Sequence, residues 1–129
     1  MDENLQPKAP TRSNTVKAFF IDPYNRTVKQ IDYNGDFREI SRLLACDIFT
    51  CATFNKKQDT FYVDDEGLFK ANRMFFEHHG YPQPLCGYGL VLGTTPSGDS
   101  CEPTVTLEEL ESDLKWYSEF TVGLSGAVY

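Results

Sequence analysis

The chain has 129 residues, 40% of them hydrophobic and 14% aromatic, which suits one domain with a modest, aromatic-rich core and excludes general disorder. Nineteen acidic residues against twelve basic ones leave a formal charge of −7, an excess that disfavours nucleic acid and anionic membranes as partners. No apolar run reaches the length of a membrane span.

Residues 1–14 are expected to be a flexible polar tail, interrupted by Pro7 and Pro10, and residues 15–129 a single α+β domain. Val16–Ile21 reads as a first strand. Asp22-Pro23-Tyr24-Asn25 is a turn, with Pro23 fixing φ and Asp22 accepting from backbone N–H groups. Thr27–Tyr33 returns as a second strand, and the two form an edge hairpin. Asp36 is a helix N-cap with Glu39 three residues on, and Phe37, Ile40, Leu43 and Leu44 mark one face of a helix through about Ala45.

Ile48–Phe54 and Thr60–Val63 are predicted strands joined by the polar loop 55–59. The acidic turn Asp64-Asp65-Glu66-Gly67 follows. Asn72–His78 reads as one or two helical turns, within which Arg73 and Glu77 would face each other, and Gly80 would stop them. Pro82 and Pro84 force an extended path.

Tyr88–Gly93 is the most apolar strand, and its glycines predict a bulge or a close backbone approach. Residues 94–103 read as a loop holding Cys101, the cysteine expected to be most exposed. Thr106 with Glu109 forms a second capping pair, opening a helix over 107–117 whose apolar face is Leu107, Leu110, Leu114 and Tyr117. Glu111 and Lys115 are an i,i+4 pair in that register. Residues 119–128 alternate weakly, as a last strand would. The fold class is therefore α+β: a mostly antiparallel sheet of five or six strands with two main helices packed on it.

Four cysteines, at 46, 51, 86 and 101, form no C-x-x-C pair, so reduced thiols in a cytosolic compartment are expected rather than a metal knuckle or disulfides. Asp64, Asp65 and Glu66 lack the alternating ligands of a calcium loop. His78 and His79 are adjacent, and within a helix they would point in different directions, with Cys86 or Glu77 as the third metal ligand that spacing allows. Cys86 has no oriented base, and Gly87-Tyr88-Gly89 precedes a strand rather than a phosphate-binding helix. No catalytic residue, metal or cofactor is assigned.

Ile21-Asp22-Pro23, Tyr33-Asn34-Gly35-Asp36, Tyr62-Val63-Asp64-Asp65-Glu66-Gly67-Leu68 and Pro84-Leu85-Cys86-Gly87 running into Leu90-Val91-Leu92-Gly93 come in an order that resembles a small phage and bacterial mobile-element family described as a domain of unknown function. The resemblance covers about residues 16–120. It implies a phage-encoded protein acting in the cytoplasm of an infected bacterial host, and it brings no catalytic residues.

With the acidic C-terminal stretch, it points to an inhibitor that binds a host protein with a basic surface, such as a nucleic-acid-directed defence enzyme. The expected contacts are Glu108, Glu109, Glu111 and Asp113, with Asp64, Asp65 and Glu66. A solvated helix face accounts for the same residues without any partner. Two alternatives stand beside it. One is a small-ligand-binding protein or hydrolase using the Asp64–Glu66 turn and His78/His79. The other is a structural or assembly protein, with homodimer formation through strand edges.

Overall fold

The computed structural model describes residues 15–118. Within them the chain forms β1 (Val16–Asp22), β2 (Thr27–Tyr33), α1 (Phe37–Leu44), β3 (Phe49–Thr53), β4 (Thr60–Asp64), a 3-10 turn at Gly67–Phe69, β5 (Met74–Glu77), β6 (Leu85–Cys86), β7 (Gly89–Thr94), β8 (Ser100–Cys101), α2 (Leu107–Asp113) and β9 (Lys115–Ser118). The expected tail 1–14 and last strand 119–128 lie outside the described residues.

The main sheet has six strands, ordered β2-β1-β7-β4-β3 with β8 paired to the end of β7, and every pairing is antiparallel. The α+β class is as expected, and β2 is an edge strand. Side-chain alternation gives the sheet two buried faces. Phe19, Ile21, Phe61, Val63 and Val91 share one face with Leu110 of α2, with Leu114 just after it and with Phe76. Ala18, Leu90 and Leu92 share the other with Tyr33 and with Ile40 and Leu44 of α1. The molecule is thus layered: α1, the main sheet, then α2 with a second sheet. Each fully buried Phe, Ile or Leu of these faces contributes about 1.5–3 kcal/mol.

Both helices start where their caps predict. Thr106 and Glu109 make a complete capping box: Thr106 N–H donates to Glu109 Oε1 (2.9 Å), and Glu109 N–H donates to Thr106 Oγ1 (3.1 Å). At α1, Asp36 caps by accepting from Arg38 N–H (2.9 Å), but no box closes. Asn34 Oδ1 takes the Asp36 N–H (2.9 Å), and Glu39 pairs with Arg42 instead.

The second sheet, β9-β5-β6, corrects two helical expectations. Met74–Glu77 is a strand, because Phe75 and Phe76 must be buried in opposite directions. Phe76 enters the main core, while Phe75 packs with Cys86 and Tyr117. A strand sends neighbouring side chains to opposite faces, whereas a helix turns them by only about 100°. Arg73 precedes β5, so it does not face Glu77 in a helical register; it donates instead to the Leu68 carbonyl (2.9 Å).

The expected helix over 107–117 ends at Asp113 for the same reason. Leu114 turns extended (φ −84°, ψ 141°), and Trp116 and Tyr117 pair with Phe76 and Phe75, one toward each side. The Glu111–Lys115 pair loses its helical register accordingly.

Loop 94–103 also folds further than expected. Ser100–Cys101 pairs with Thr94 and Gly93, which leaves Cys101 half-buried and makes Cys51, on β3, the exposed cysteine. None of the four cysteines is joined in a disulfide. Gly89 marks the close approach its strand predicted: a Cβ there would lie 2.7 Å from Phe76 Cζ. Among the described residues no helix is long and apolar enough to cross a membrane.

Candidate functional site

β5 delivers the chain to His78, where the backbone turns. Tyr81 N–H donates to the His78 carbonyl (3.0 Å), closing a turn over His78–Tyr81. His78 prolongs the strand inward and His79 lies on the turn, so the two rings stack with centroids 4.3 Å apart. This overturns the expectation that adjacent histidines point apart, which held only for a helix.

His78 is 5% exposed and packs at an angle against the stacked rings of Phe54 (centroids 4.7 Å) and Phe61 (5.6 Å), which lie 4.0 Å from each other. Gly80 fixes its orientation. The Gly80 N–H donates to His78 Nδ1 (2.9 Å), and the Gly80 backbone lies so close to β3 that a Cβ would fall 2.1 Å from the Phe54 carbonyl oxygen. No other residue type fits there without a shift.

The third member is Asp113, the last residue of α2. Its Oδ2 lies 3.7 Å from His78 Nε2 and 3.5 Å from His79 Nε2. The ligating atoms of the three residues all lie within 4.8 Å of one another. Asp113 is half-exposed and His79 exposed, so the group opens to solvent over a buried floor. A carboxylate at a helix C-terminus works against the helix dipole, and the last turn of α2 has no basic residue to offset it.

Burial, and then the neighbouring His79, push His78 below the usual imidazole range, while Asp113 pulls the other way. The buried ring is held neutral. Since Nδ1 accepts from Gly80, the proton of the neutral ring sits on Nε2. That atom is buried and has no hydrogen-bond partner among the described residues; 3.7 Å to Asp113 is too long for one. An unmet buried donor costs about 1–3 kcal/mol, and a bound group between His78 and Asp113 would remove that cost.

The third-ligand expectation is corrected as well. Glu77 accepts from Tyr117 Oη (2.9 Å), and Cys86 Sγ, buried under the 3-10 turn, lies 3.4 Å from the Gly67 carbonyl.

The other acidic candidates are placed elsewhere. Asp64 is nearly buried, pairs with Lys70 Nζ (2.5 Å) and accepts from Glu66 N–H (2.9 Å). Asp65 and Glu66 are exposed. Asp64 and Asp65 border a cavity of about 250 Å³ together with Thr50, Tyr81 and Gln83, and neither histidine lines it. The acidic turn and the histidines therefore do not form the joint site considered from sequence. On α2, Glu108 is exposed, Glu109 is engaged in the capping box, Glu111 borders a shallow cavity with Arg26, Lys29 and Trp116, and Asp113 turns to the histidines.

Asp59 is a residue whose role went unrecognised in sequence, where it read as a loop acid. It is fully buried and accepts from Thr104 N–H (2.9 Å), Thr104 Oγ1 (2.6 Å), Val105 N–H (3.2 Å) and Asn55 Nδ2 (2.9 Å). It ties the entry of α2, and with it Asp113, to the β3–β4 hairpin.

Residues 16–115 match the model of a domain of unknown function, DUF3846. The chain belongs to the DUF3846 family. The matched span runs from the first residue of β1 to the first of β9, so the whole main sheet, both helices and all three members of the histidine site lie within the DUF3846 domain. No curated protein and no solved structure matches the chain.

Proposed function

We propose that this DUF3846 domain is a small-ligand-binding protein whose site is the corner formed by His78, His79 and Asp113. The observation that carries the reading is the buried, unpartnered Nε2 of His78, held in place by Gly80 and two phenylalanines and directed at a carboxylate from another element. Buried polar atoms are nearly always satisfied, and an exception calls for a cause. A ligand atom placed between His78 Nε2 and Asp113 would satisfy this one. The test follows the imidazole ¹H–¹⁵N resonances of His78 and His79 while divalent metal ions, small carboxylic acids, polyols and inorganic phosphate are added in turn. Saturable movement of both rings by one class, lost in Asp113→Ala, supports the reading. Unmoved rings across all four classes overturn it.

A second reading rests on the exposed carboxylates Glu108, Asp65 and Glu66. In it the domain is phage-encoded and inhibits a bacterial host protein with a basic surface through complementary charge. Co-purification from host lysate at low and high salt tests it: a specific partner released by salt supports it, and recovery unaffected by charge reversal at Glu108 and Glu111 removes it.

A further inference from the structure

We propose that the ligand is a divalent transition-metal ion, zinc being the probe of choice, held by His78 Nε2, His79 Nε2 and an Asp113 carboxylate oxygen. This rests on the ligand-binding reading above and names its ligand class. Zinc takes imidazole nitrogen and carboxylate oxygen at about 2.0–2.2 Å, which sets donor atoms about 3.3 Å apart in a tetrahedral site. The two Asp113 separations, 3.7 and 3.5 Å, need to close by a few tenths of an ångström, and the donor atoms of the two imidazoles, within 4.8 Å of each other, must be drawn together by rotation of the His79 side chain. Half-exposed Asp113 and exposed His79 have the freedom to do so, while His78 is the fixed point.

Three observations favour this class. Two imidazoles with one carboxylate suit zinc, nickel, cobalt and copper, whereas magnesium and calcium prefer all-oxygen sets. The Asp113 charge, the C-terminal end of α2 and a formal charge of −7 all favour a cation over an oxyanion. His78 Nε2 is buried, faces Asp113 and has no hydrogen-bond partner among the described residues, as suits a donor atom held for a metal ion. Three protein ligands leave at least one position to solvent.

The Gly80 contact makes the inference specific. In the metal-free domain His78 Nδ1 accepts from Gly80 N–H, so its ring proton is on Nε2. A metal ion at Nε2 must displace that proton. The neutral ring then carries its proton on Nδ1, the Nε2 proton leaving to solvent and Nδ1 taking one up, with no net change in the charge of the ring. Nδ1–H and Gly80 N–H are both donors and cannot share a hydrogen bond. Loading the site therefore releases the Gly80 amide and loosens the His78–Tyr81 turn.

The experiment uses the full chain in two parts. Calorimetric titration with Zn²⁺ should show saturable binding at a single site, with no competition from excess Mg²⁺ or Ca²⁺. His79→Ala and Asp113→Ala should weaken it by at least the roughly 10- to 100-fold that loss of a supporting group typically costs. Amide exchange by NMR should show Gly80 losing protection on zinc addition in the wild type.

Undiminished zinc binding in either variant, no saturable binding at all, or a Gly80 amide that stays protected in the zinc-bound state overturns the metal assignment. If zinc fails while another class moves the His78 ring, the metal inference falls and the ligand-binding reading survives. If nothing moves the ring, both fall. His79→Ala and Asp113→Ala alter exposed or half-exposed side chains, so neither depends on repacking the core.

Discussion

Replacing Asp59 with alanine should be the most damaging single change outside the apolar core, and its effect should reach the histidine site through Thr104 and Val105, partners that lie 45 and 46 positions further along the chain. Asp59 is fully buried, and its carboxylate takes hydrogen bonds from Thr104 N–H, Thr104 Oγ1, Val105 N–H and Asn55 Nδ2. Asp59→Ala removes all four and leaves two backbone N–H groups without their acceptor. Each unmet buried donor costs about 1–3 kcal/mol. Water entering the small void would recover part, so the net loss is about 2–5 kcal/mol. Against a total of about 5–15 kcal/mol for a domain of this kind, that lowers the melting temperature by at least several degrees.

Asp59→Asn keeps the shape and one acceptor oxygen but turns an NH2 group toward groups that are themselves donors, so it should cost less than alanine and more than nothing. Urea denaturation with shared slopes measures both differences, and the imidazole resonances of His78 and His79 report the site in the folded fraction. Because Thr104 and Val105 lead directly into α2, the His78–Asp113 geometry should broaden in Asp59→Ala even where the protein remains folded. A loss below about 0.5 kcal/mol, the range of ordinary surface substitutions, with unchanged imidazole signals, would show that the clamp does not hold the helix.

Three further outcomes follow from the same packing. Gly80→Ala should destabilise by about 1–3 kcal/mol through overpacking against the Phe54 carbonyl, and thermal melting checks it; a wild-type melting temperature would mean that the turn has slack. Stability should fall as pH drops below about 6.5, where an unfolded imidazole takes up a proton. The lowered His78 pKa delays uptake in the folded state, so the unfolded chain binds more protons in that window. The contribution is complete above the unfolded pKa and declines as pH falls toward the folded one; urea midpoints across pH 5–8 for wild type and His78→Phe should differ in slope. Leu110→Ala, at the centre of the α2 face, should cost about 2–5 kcal/mol by chemical denaturation.

Five of the six strands of the main sheet were legible because they obey local rules, whereas Ser100–Cys101 read as loop. Val16–Ile21, Thr27–Tyr33 and Thr60–Val63 are β-branched and aromatic runs bounded by turn residues, and Asp36 and Thr106 announce their helices by cap chemistry that acts within a few residues. Met74–Glu77 and Lys115–Ser118 carry no such local signal. Each is a strand only because the other is there to pair with, Phe76 against Trp116 and Phe75 against Tyr117. Pairing at that separation is a tertiary fact that short-range periodicity does not encode. Asp59 was opaque for the same reason, since its partners at 104 and 105 come from the far side of the chain.

The histidine site falls in the part that was not legible, and this follows from how it is built. His78 and His79 meet only because β5 is a strand ending in a turn; as helix residues their rings would diverge. Asp113 reaches them because α2 stops at that residue and β9 then runs back along β5, which brings the end of the helix to the end of the strand. The helical reading of 72–78 and of 107–117 therefore dispersed the three residues twice over. Turning both segments into paired strands brings the site together in one step. A substitution that frays β9 from β5, such as Trp116→Gly, should accordingly separate Asp113 from the histidines without touching any of the three.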